Sequence, residues 1–269
     1  FGEIEFTAPG EYTYTVTERN DGVDGVSYDT TPHQVVVTVT KDNETNSLSA
    51  NVKYDEDKNA LEITNTFTPV EAPVEVTKAF NAWEKNVAFN FTLEAKASSL
   101  TDAYGRKILS PMPAAAGDKT SMTMAVNQDT ADHKAMFGSI NFVEAGIYNY
   151  TINETTRAED RLAGVTYDTN THNVMIVVTK ANNATNALAA RVAYDGADSL
   201  TVTNTYSPVK ARLEATKQFN DWGKAEKFEF QVSAKDGAPM PASDKAEATE
   251  AVRTAVFGDM TFEAEGTYE

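Results

Sequence analysis

The sequence predicts an all-β chain of tandem immunoglobulin-like β-sandwich domains, on three observations. Short runs rich in Val, Thr and Tyr recur between clusters of Gly, Asn, Asp and Pro, and helix signals are thin. About seven such runs fall within roughly 140 residues, the strand density of an immunoglobulin-like sandwich. The pattern then repeats. "VEVTKAFNAW" at 74–83 returns as "LEATKQFNDW" at 213–222, "GVSYDTTPH" at 25–33 as "GVTYDTNTH" at 164–172, and "LEITNTF" at 61–67 as "LTVTNTY" at 200–206, each shifted by 139 residues.

A fourth match, "FGEIEFTAPGEYTYTVTE" at 1–18 with "FGSINFVEAGIYNYTINE" at 137–154, is shifted by 136, because "RNDGVD" is shorter than "TTRAEDRLA". A third copy opens with "FGDMTFEAEGTYE" at 257–269. The layout is the back half of a first unit at 1–68, a complete unit at 72–208 and the front half of a third at 211–269. Boundaries fall at "TPVEAP" and "SPVKAR", where Pro69 and Pro208 leave little slack. The period is too long for a solenoid, whose repeats run roughly 20–50 residues.

Within the complete unit the expected strands, in order, are "VEVTKAF", "FNFTLEA", "SINF", "IYNYTINE", "NVMIVVTK", "LAARVAY" and "LTVTNTY". Residues 98–123 are the least regular part and read as a long loop with room for one helical turn. The third unit is about nineteen residues shorter there. "FGEIEF" at the start already reads as strand, so the chain looks like a piece of a longer one.

Composition removes several functions. A net charge of −17 argues against nucleic acid, which needs clustered Lys and Arg. The longest apolar run, "VMIVV" at 174–178, is far short of a membrane span. There is no cysteine, hence no disulfide framework or thiolate metal site. His33 and His172 occupy equivalent places and read as hydrogen-bonded strand-end residues. The acidic "YDEDKN" at 54–59 keeps only part of its character in "YDGADS", so no metal and no cofactor are expected. Trp83 and Trp222, just after the lysine strands, read as core.

The informative residues are polar ones on apolar faces. Alternation places Lys78 with Val74, Val76 and Phe80, Glu154 with Tyr148, Tyr150 and Ile152, and Asn204 with Leu200, Val202 and Tyr206. The incomplete units repeat this with Glu18, Asn65 and Lys217. Alone, such a Lys usually snorkels, such an Asn often opens a turn, and such a Glu is usually solvated. Together, buried and unpaired, they would cost several kcal/mol. All three recur at one phase of the repeat. Desolvation lowers the Lys pKa and raises that of the Glu. A neutral amine could then attack the Asn side chain while a protonated Glu donates to its carbonyl and relays protons. Ammonia would leave and an amide would join the side chains, with proximity supplying the rate.

The unit resembles the isopeptide-linkage domain of streptococcal backbone pilins and related Gram-positive adhesin stalks, a CnaB-like immunoglobulin fold. "VTKAF" with Lys78, "YNYTINE" with Glu154 and "TVTNTY" with Asn204 carry the resemblance, and "GVTYDTNTHNV" is also characteristic. It implies that Lys78 and Asn204 are the bonded pair and Glu154 the catalyst, acting once and not as an enzyme. It further implies a structural stalk segment outside the bacterial cell, wall-anchored or in a fibre, whose partners are neighbouring repeats. The alternative is a module that binds a host glycan or protein through 98–123. A host ligand held by other parts of the full protein is also expected. A further partnership, head-to-tail self-association, would bring Lys217 of one molecule beside Glu18 and Asn65 of the next.

Overall fold

The computed structural model describes residues 2–183 and 185–269, and among these it contains strands and short 3₁₀ turns with no α-helix. The centre of the chain is a two-sheet sandwich. One sheet has five strands in the order Ser121–Val126, Phe89–Ala95, Gly146–Glu154, Thr171–Lys180 and Leu188–Tyr194. The other has four, in the order Lys134–Phe142, Val70–Phe80, Thr201–Tyr206 and Val165–Thr166. Strict alternation turns Val74, Val76 and Phe80 toward Phe89, Phe91, Leu93, Tyr148, Tyr150 and Ile152, which form one core. Each large apolar side chain so buried contributes about 1.5–3 kcal/mol.

The first and last strands of the sandwich lie side by side and parallel, with Val202 opposite Lys78 and Asn204 opposite Phe80. Chain entering at Val70 and leaving at Tyr206 therefore loads this pair in shear. A β-bulge between Met136 and Gly138 bends the neighbouring strand, and Gly138 takes the φ of 93° that the bulge demands. The same device recurs at Gly258, with φ of 92°. Each segment also has a tyrosine corner, a hydroxyl donating to the carbonyl four residues upstream: Tyr12 to Ala8, Tyr148 to Glu144 and Tyr268 to Ala264.

All seven strands expected in the central unit are present, but three expectations need correction. The stretch 98–123 is mostly ordered strand. Ala97–Thr101 pairs with Lys107–Leu109, a 3₁₀ turn covers Ala114–Ala116, and Ser121–Val126 is an edge strand of the five-stranded sheet. Buried Ser110, whose hydroxyl accepts from Asn149 N–H, and the Pro111 carbonyl, which accepts from Tyr150, fasten it to the sandwich. "FGEIEF" is not strand over residues 2–6, and Phe1 lies outside the described residues. Its counterpart at 137–142 is held by pairing with Val70–Val74, and residues 2–6 have no such strand partner among the described residues. For the same reason "LEITNTF" is strand only over Thr66–Phe67, paired with Val26–Ser27.

The remaining strands form small sheets on either side. Gly10–Val16, His33–Lys41 and Leu48–Tyr54 make a three-stranded sheet. Val209–Thr216 pairs with Thr254–Phe262, and Lys227–Gln231 with Lys245–Thr249. Both joints to the central sandwich are tied. Asp24 accepts from Ala145 N–H at 2.6 Å and from Lys180 Nζ at 2.9 Å, and these donors hold its carboxyl below the usual range. Buried Asn186 donates to Asn20 Oδ1 and to the Val26 carbonyl. At the other end Lys85 meets Glu263 at 2.5 Å, and the Tyr206 hydroxyl reaches the Glu263 carbonyl.

Candidate functional site

The parallel register puts Lys78 and Asn204 on the inner face of one sheet, as diagonal neighbours across adjacent strands. Glu154 ends a strand of the facing sheet, opposite Phe91. The three meet in the core. Lys78 Nζ donates to Glu154 Oε2 at 2.8 Å, and Asn204 Nδ2 donates to Glu154 Oε1 at 2.7 Å. The Lys78 and Glu154 side chains are 0% and 1% exposed and Asn204 is 1% exposed, so these bonds are shielded from bulk solvent.

The floor is aromatic. Lys78 Nζ sits 4.4 Å from the Phe89 ring centroid and 5.6 Å from that of Phe91. Cation–π attraction offsets part of the desolvation of an ammonium. Burial still dominates and lowers the Lys78 pKa, against the Glu154 hydrogen bond and charge that raise it. The neutral, nucleophilic amine is thereby brought closer to physiological pH.

Two features were not read from the sequence. The Asn204 carbonyl does not face Glu154 as expected, because Asp168 N–H donates to Asn204 Oδ1 at 2.9 Å and so turns the amide nitrogen toward the carboxylate. Asp168 lies in the repeated "GVTYDTNTH", which marked the segment but could not disclose a backbone donor. Asn81 is the second. Its side chain donates to the Tyr206 carbonyl and accepts from Tyr206 N–H, bridging the first strand to the last. Its signal was present in the pair "FNAW" and "FNDW".

The other sequence-predicted residues are only partly assembled. Asn65 Nδ2 donates to Glu18 Oε1 at 2.7 Å, and Asp29 N–H donates to Asn65 Oδ1 at 3.1 Å, the arrangement seen at Glu154, Asn204 and Asp168. Glu18 Oε2 is buried and finds no hydrogen-bond partner among the described residues. Lys217 is elsewhere, half-buried, with Nζ 4.2 Å from the Phe228 ring centroid. His33 and His172 lie at strand starts on carboxylates: His33 on Asp55 at 2.6 Å and Asp29 at 3.1 Å, His172 on Asp195 at 2.9 Å. Trp83 packs edge-on to Phe80 and Phe89 against the core, while Trp222 does the same with Phe219 and Phe228.

The chain resembles solved structures of Streptococcus pyogenes pilins. The major pilin T-13 is 18% identical over 76% of this chain and 70% of its own, with a TM-score of 0.34. Another S. pyogenes major pilin is 12% identical over 73% of each chain, also with a TM-score of 0.34. None of the curated proteins matches. The model of the FctA family, the Spy0128-like isopeptide containing domain, matches residues 1–68, 74–207 and 213–269, and the chain accordingly belongs to that family.

Proposed function

We propose that this protein is a load-bearing stalk segment of a Gram-positive surface pilus or adhesin, divided into units at 1–68, 72–208 and 211–269. In the central unit an intramolecular isopeptide bond joins Lys78 to Asn204. The observation that carries this reading is one buried carboxylate, Glu154, bonded to the amine on one oxygen and to the carboxamide nitrogen on the other. Family membership supports the structural role and an extracellular location at the cell surface. No helix among the described residues is long and apolar enough to cross a membrane.

The chemistry follows from the positions. Neutral Lys78 Nζ attacks Asn204 Cγ, and Glu154 Oε2 takes the proton that Nζ loses. Asp168 N–H meets the oxygen on which negative charge develops, as an oxyanion donor does. Glu154 Oε1 lies on the nitrogen that must leave, and the carboxyl group turns to carry the proton from the Oε2 position to that nitrogen, making it ammonia. The C–N bond to Nδ2 breaks, the bond to Nζ forms, and the carboxylate is restored. Glu154 acts as proton relay for a single turnover on its own chain, so the protein is not an enzyme. The bond closes a loop of 126 residues, which by the disulfide loop-entropy analogy stabilises by roughly 4–5 kcal/mol. It also bypasses the parallel pair that tension would otherwise shear.

Intact mass tests this directly. The purified chain is expected one ammonia lighter than its sequence, with a digest yielding a branched peptide that joins the Lys78 and Asn204 segments. Glu154→Ala is expected to keep the full sequence mass. A wild-type mass equal to the sequence mass would make the trio an ordinary buried hydrogen-bonded cluster and end the proposal.

A further inference from the structure

We propose that His172 is a positioning residue for the Lys78–Asn204 crosslink. Held by Asp195, it steadies the Asp168 carboxylate and, through it, the backbone N–H that meets the Asn204 carbonyl oxygen. This rests on the isopeptide chemistry proposed for Lys78, Glu154 and Asn204. Residues 167–170 carry the chain from Val165–Thr166, in the sheet of Asn204, to Thr171–Lys180, in the sheet of Glu154. Their shape therefore sets where the Asp168 N–H stands in the core. That donor lies 2.9 Å from Asn204 Oδ1, the oxygen on which charge develops as the bond to Lys78 Nζ forms. A donor of this kind is effective when it is in place before the reaction begins.

The Asp168 carboxylate is engaged on both oxygens. Oδ1 accepts from Asn170 N–H at 2.6 Å, which closes a tight Asx turn. Oδ2 faces Asn170 Nδ2 at 3.4 Å and His172 Nε2 at 3.6 Å. His172 Nε2 is buried and has no hydrogen-bond partner among the described residues. The other ring nitrogen is committed, since Nδ1 meets Asp195 Oδ2 at 2.9 Å. The Asn173 N–H, and after it His172, hold the Asp195 carboxyl below the usual carboxylate range. An ionised carboxylate only accepts, so Nδ1 carries the proton of that bond. The ring is thereby fixed at the start of its strand, opposite Ile152, with Nε2 directed at Asp168.

The same wiring recurs in the first segment. Asp29 N–H donates to Asn65 Oδ1 at 3.1 Å, and Asp29 Oδ1 accepts from Thr31 N–H at 2.9 Å. His33 meets Asp29 through Nε2 at 3.1 Å and Asp55 through Nδ1 at 2.6 Å. There the imidazole closes fully on the aspartate, so this loop shape permits the bond that His172 Nε2 falls just short of. A buried imidazole pinned by one carboxylate and aimed at a second holds the loop between them. His172 thus acts on the reacting atoms through Asp168.

The experiment follows bond formation in the full chain made by a short cell-free pulse, with intact mass giving the fraction that has lost one ammonia. An oxyanion donor is worth about 10²–10³ in rate, so loosening it in His172→Ala is expected to slow the reaction by at least about tenfold. Two conservative variants separate the contacts. His172→Gln places a donor near the position of Nε2, where it reaches Asp168, and should restore most of the rate. His172→Asn places one near Nδ1, reaches only Asp195, and should be as slow as His172→Ala. Asp168→Ala keeps its backbone N–H but loses the tether, so it too should be slow. Adding His172→Ala to it should slow it no further. Thermal midpoints of the same substitutions in a Glu154→Ala background, where no chain crosslinks, report their effect on the fold alone. Rates that follow those midpoints, a His172→Gln as slow as His172→Ala, or independent slowing in the double variant would overturn the positioning role and leave the bond standing. A wild-type chain that keeps its full sequence mass throughout would overturn the bond itself, and this role with it.

Discussion

The central sandwich and the N-terminal segment are built from nearly the same words, and they do not fold to the same extent. "LTVTNTY" is strand over Thr201–Tyr206, with Val202, Asn204 and Tyr206 buried, whereas "LEITNTF" is strand over two residues and exposed from Glu62 to Phe67. Local propensity is alike in both, with β-branched residues at the same phase. What differs is the parallel neighbour, Val70–Phe80, that supplies ladder hydrogen bonds and an apolar face. Strand formation at this position is thus a tertiary effect. The Glu–Asn bond, by contrast, forms in both places at 2.7 Å. In the N-terminal segment the carboxylate and carboxamide meet with no lysine on the second carboxylate oxygen among the described residues.

The largest expected effect separates the two asparagines. Asn204→Ala removes the proposed crosslink and leaves Asp168 N–H and Glu154 Oε1 without their partner. The cost is roughly 4–5 kcal/mol for the loop and about 1–3 kcal/mol for the unsatisfied groups. Calorimetry should show the main transition lowered by on the order of 10–20 °C. Asn65→Ala removes an exposed hydrogen bond and should leave that transition within about 2 °C. An equal fall for the two variants would mean that the central unit has no bond to lose.

The sequence foretold this comparison unevenly. Period-2 alternation was enough to aim Lys78, Glu154 and Asn204 inward, because side-chain direction in a strand is fixed by parity alone. It was not enough to say which end of the Asn204 carboxamide meets Glu154, since that depends on a backbone N–H at Asp168 that any residue would carry. The stretch 98–123 looked irregular because Gly105, Pro111 and Pro113 interrupt its pattern. Yet edge strands tolerate such breaks, and Ser110 anchors the segment through hydrogen bonds rather than through apolar periodicity. Residues 2–6 and 61–65 were read as strand for the opposite reason: their pattern is good, and no strand among the described residues pairs with them.

A smaller effect comes from the bulge glycines. Gly138 holds φ of 93° inside a paired strand, and a Cβ there would find Pro113 Cβ no closer than 3.9 Å. The space is adequate, so Gly138→Ala costs only the strain of the left-handed backbone, about 1–2 kcal/mol. Gly2 has φ of 83° in a stretch without strand partners, where the backbone can relax. Gly2→Ala should leave denaturant midpoints unchanged while Gly138→Ala lowers them. If both lower them equally, residues 2–6 are more firmly held than their missing pairing implies.

The smallest effect concerns pH and the N-terminal sheet. His33 lies between Asp55 and Asp29, and the hydrogen bond to Asp55, then that to Asp29, raises its pKa above the usual 6.5 against the opposing effect of burial. The folded value is thus above the unfolded one. The stabilisation is fully present below about pH 6.5 and is lost as pH rises through the folded pKa. The partners act at the other end, because Asp55, mainly through His33, and Asp29, mainly through Thr31 N–H, have pKa values below the usual 3.8. Their contribution is lost as pH falls through those lowered values. Protection of the amides in His33–Lys41 and Leu48–Tyr54 against hydrogen exchange, corrected for the intrinsic rate, should therefore be greatest between about pH 4 and 6.5 and fall above it. His33→Gln keeps a polar group at the strand start but cannot carry the proton, so the step above pH 6.5 should vanish with it. A fall that survives in His33→Gln would place the titration on another group and detach the N-terminal sheet from its histidine.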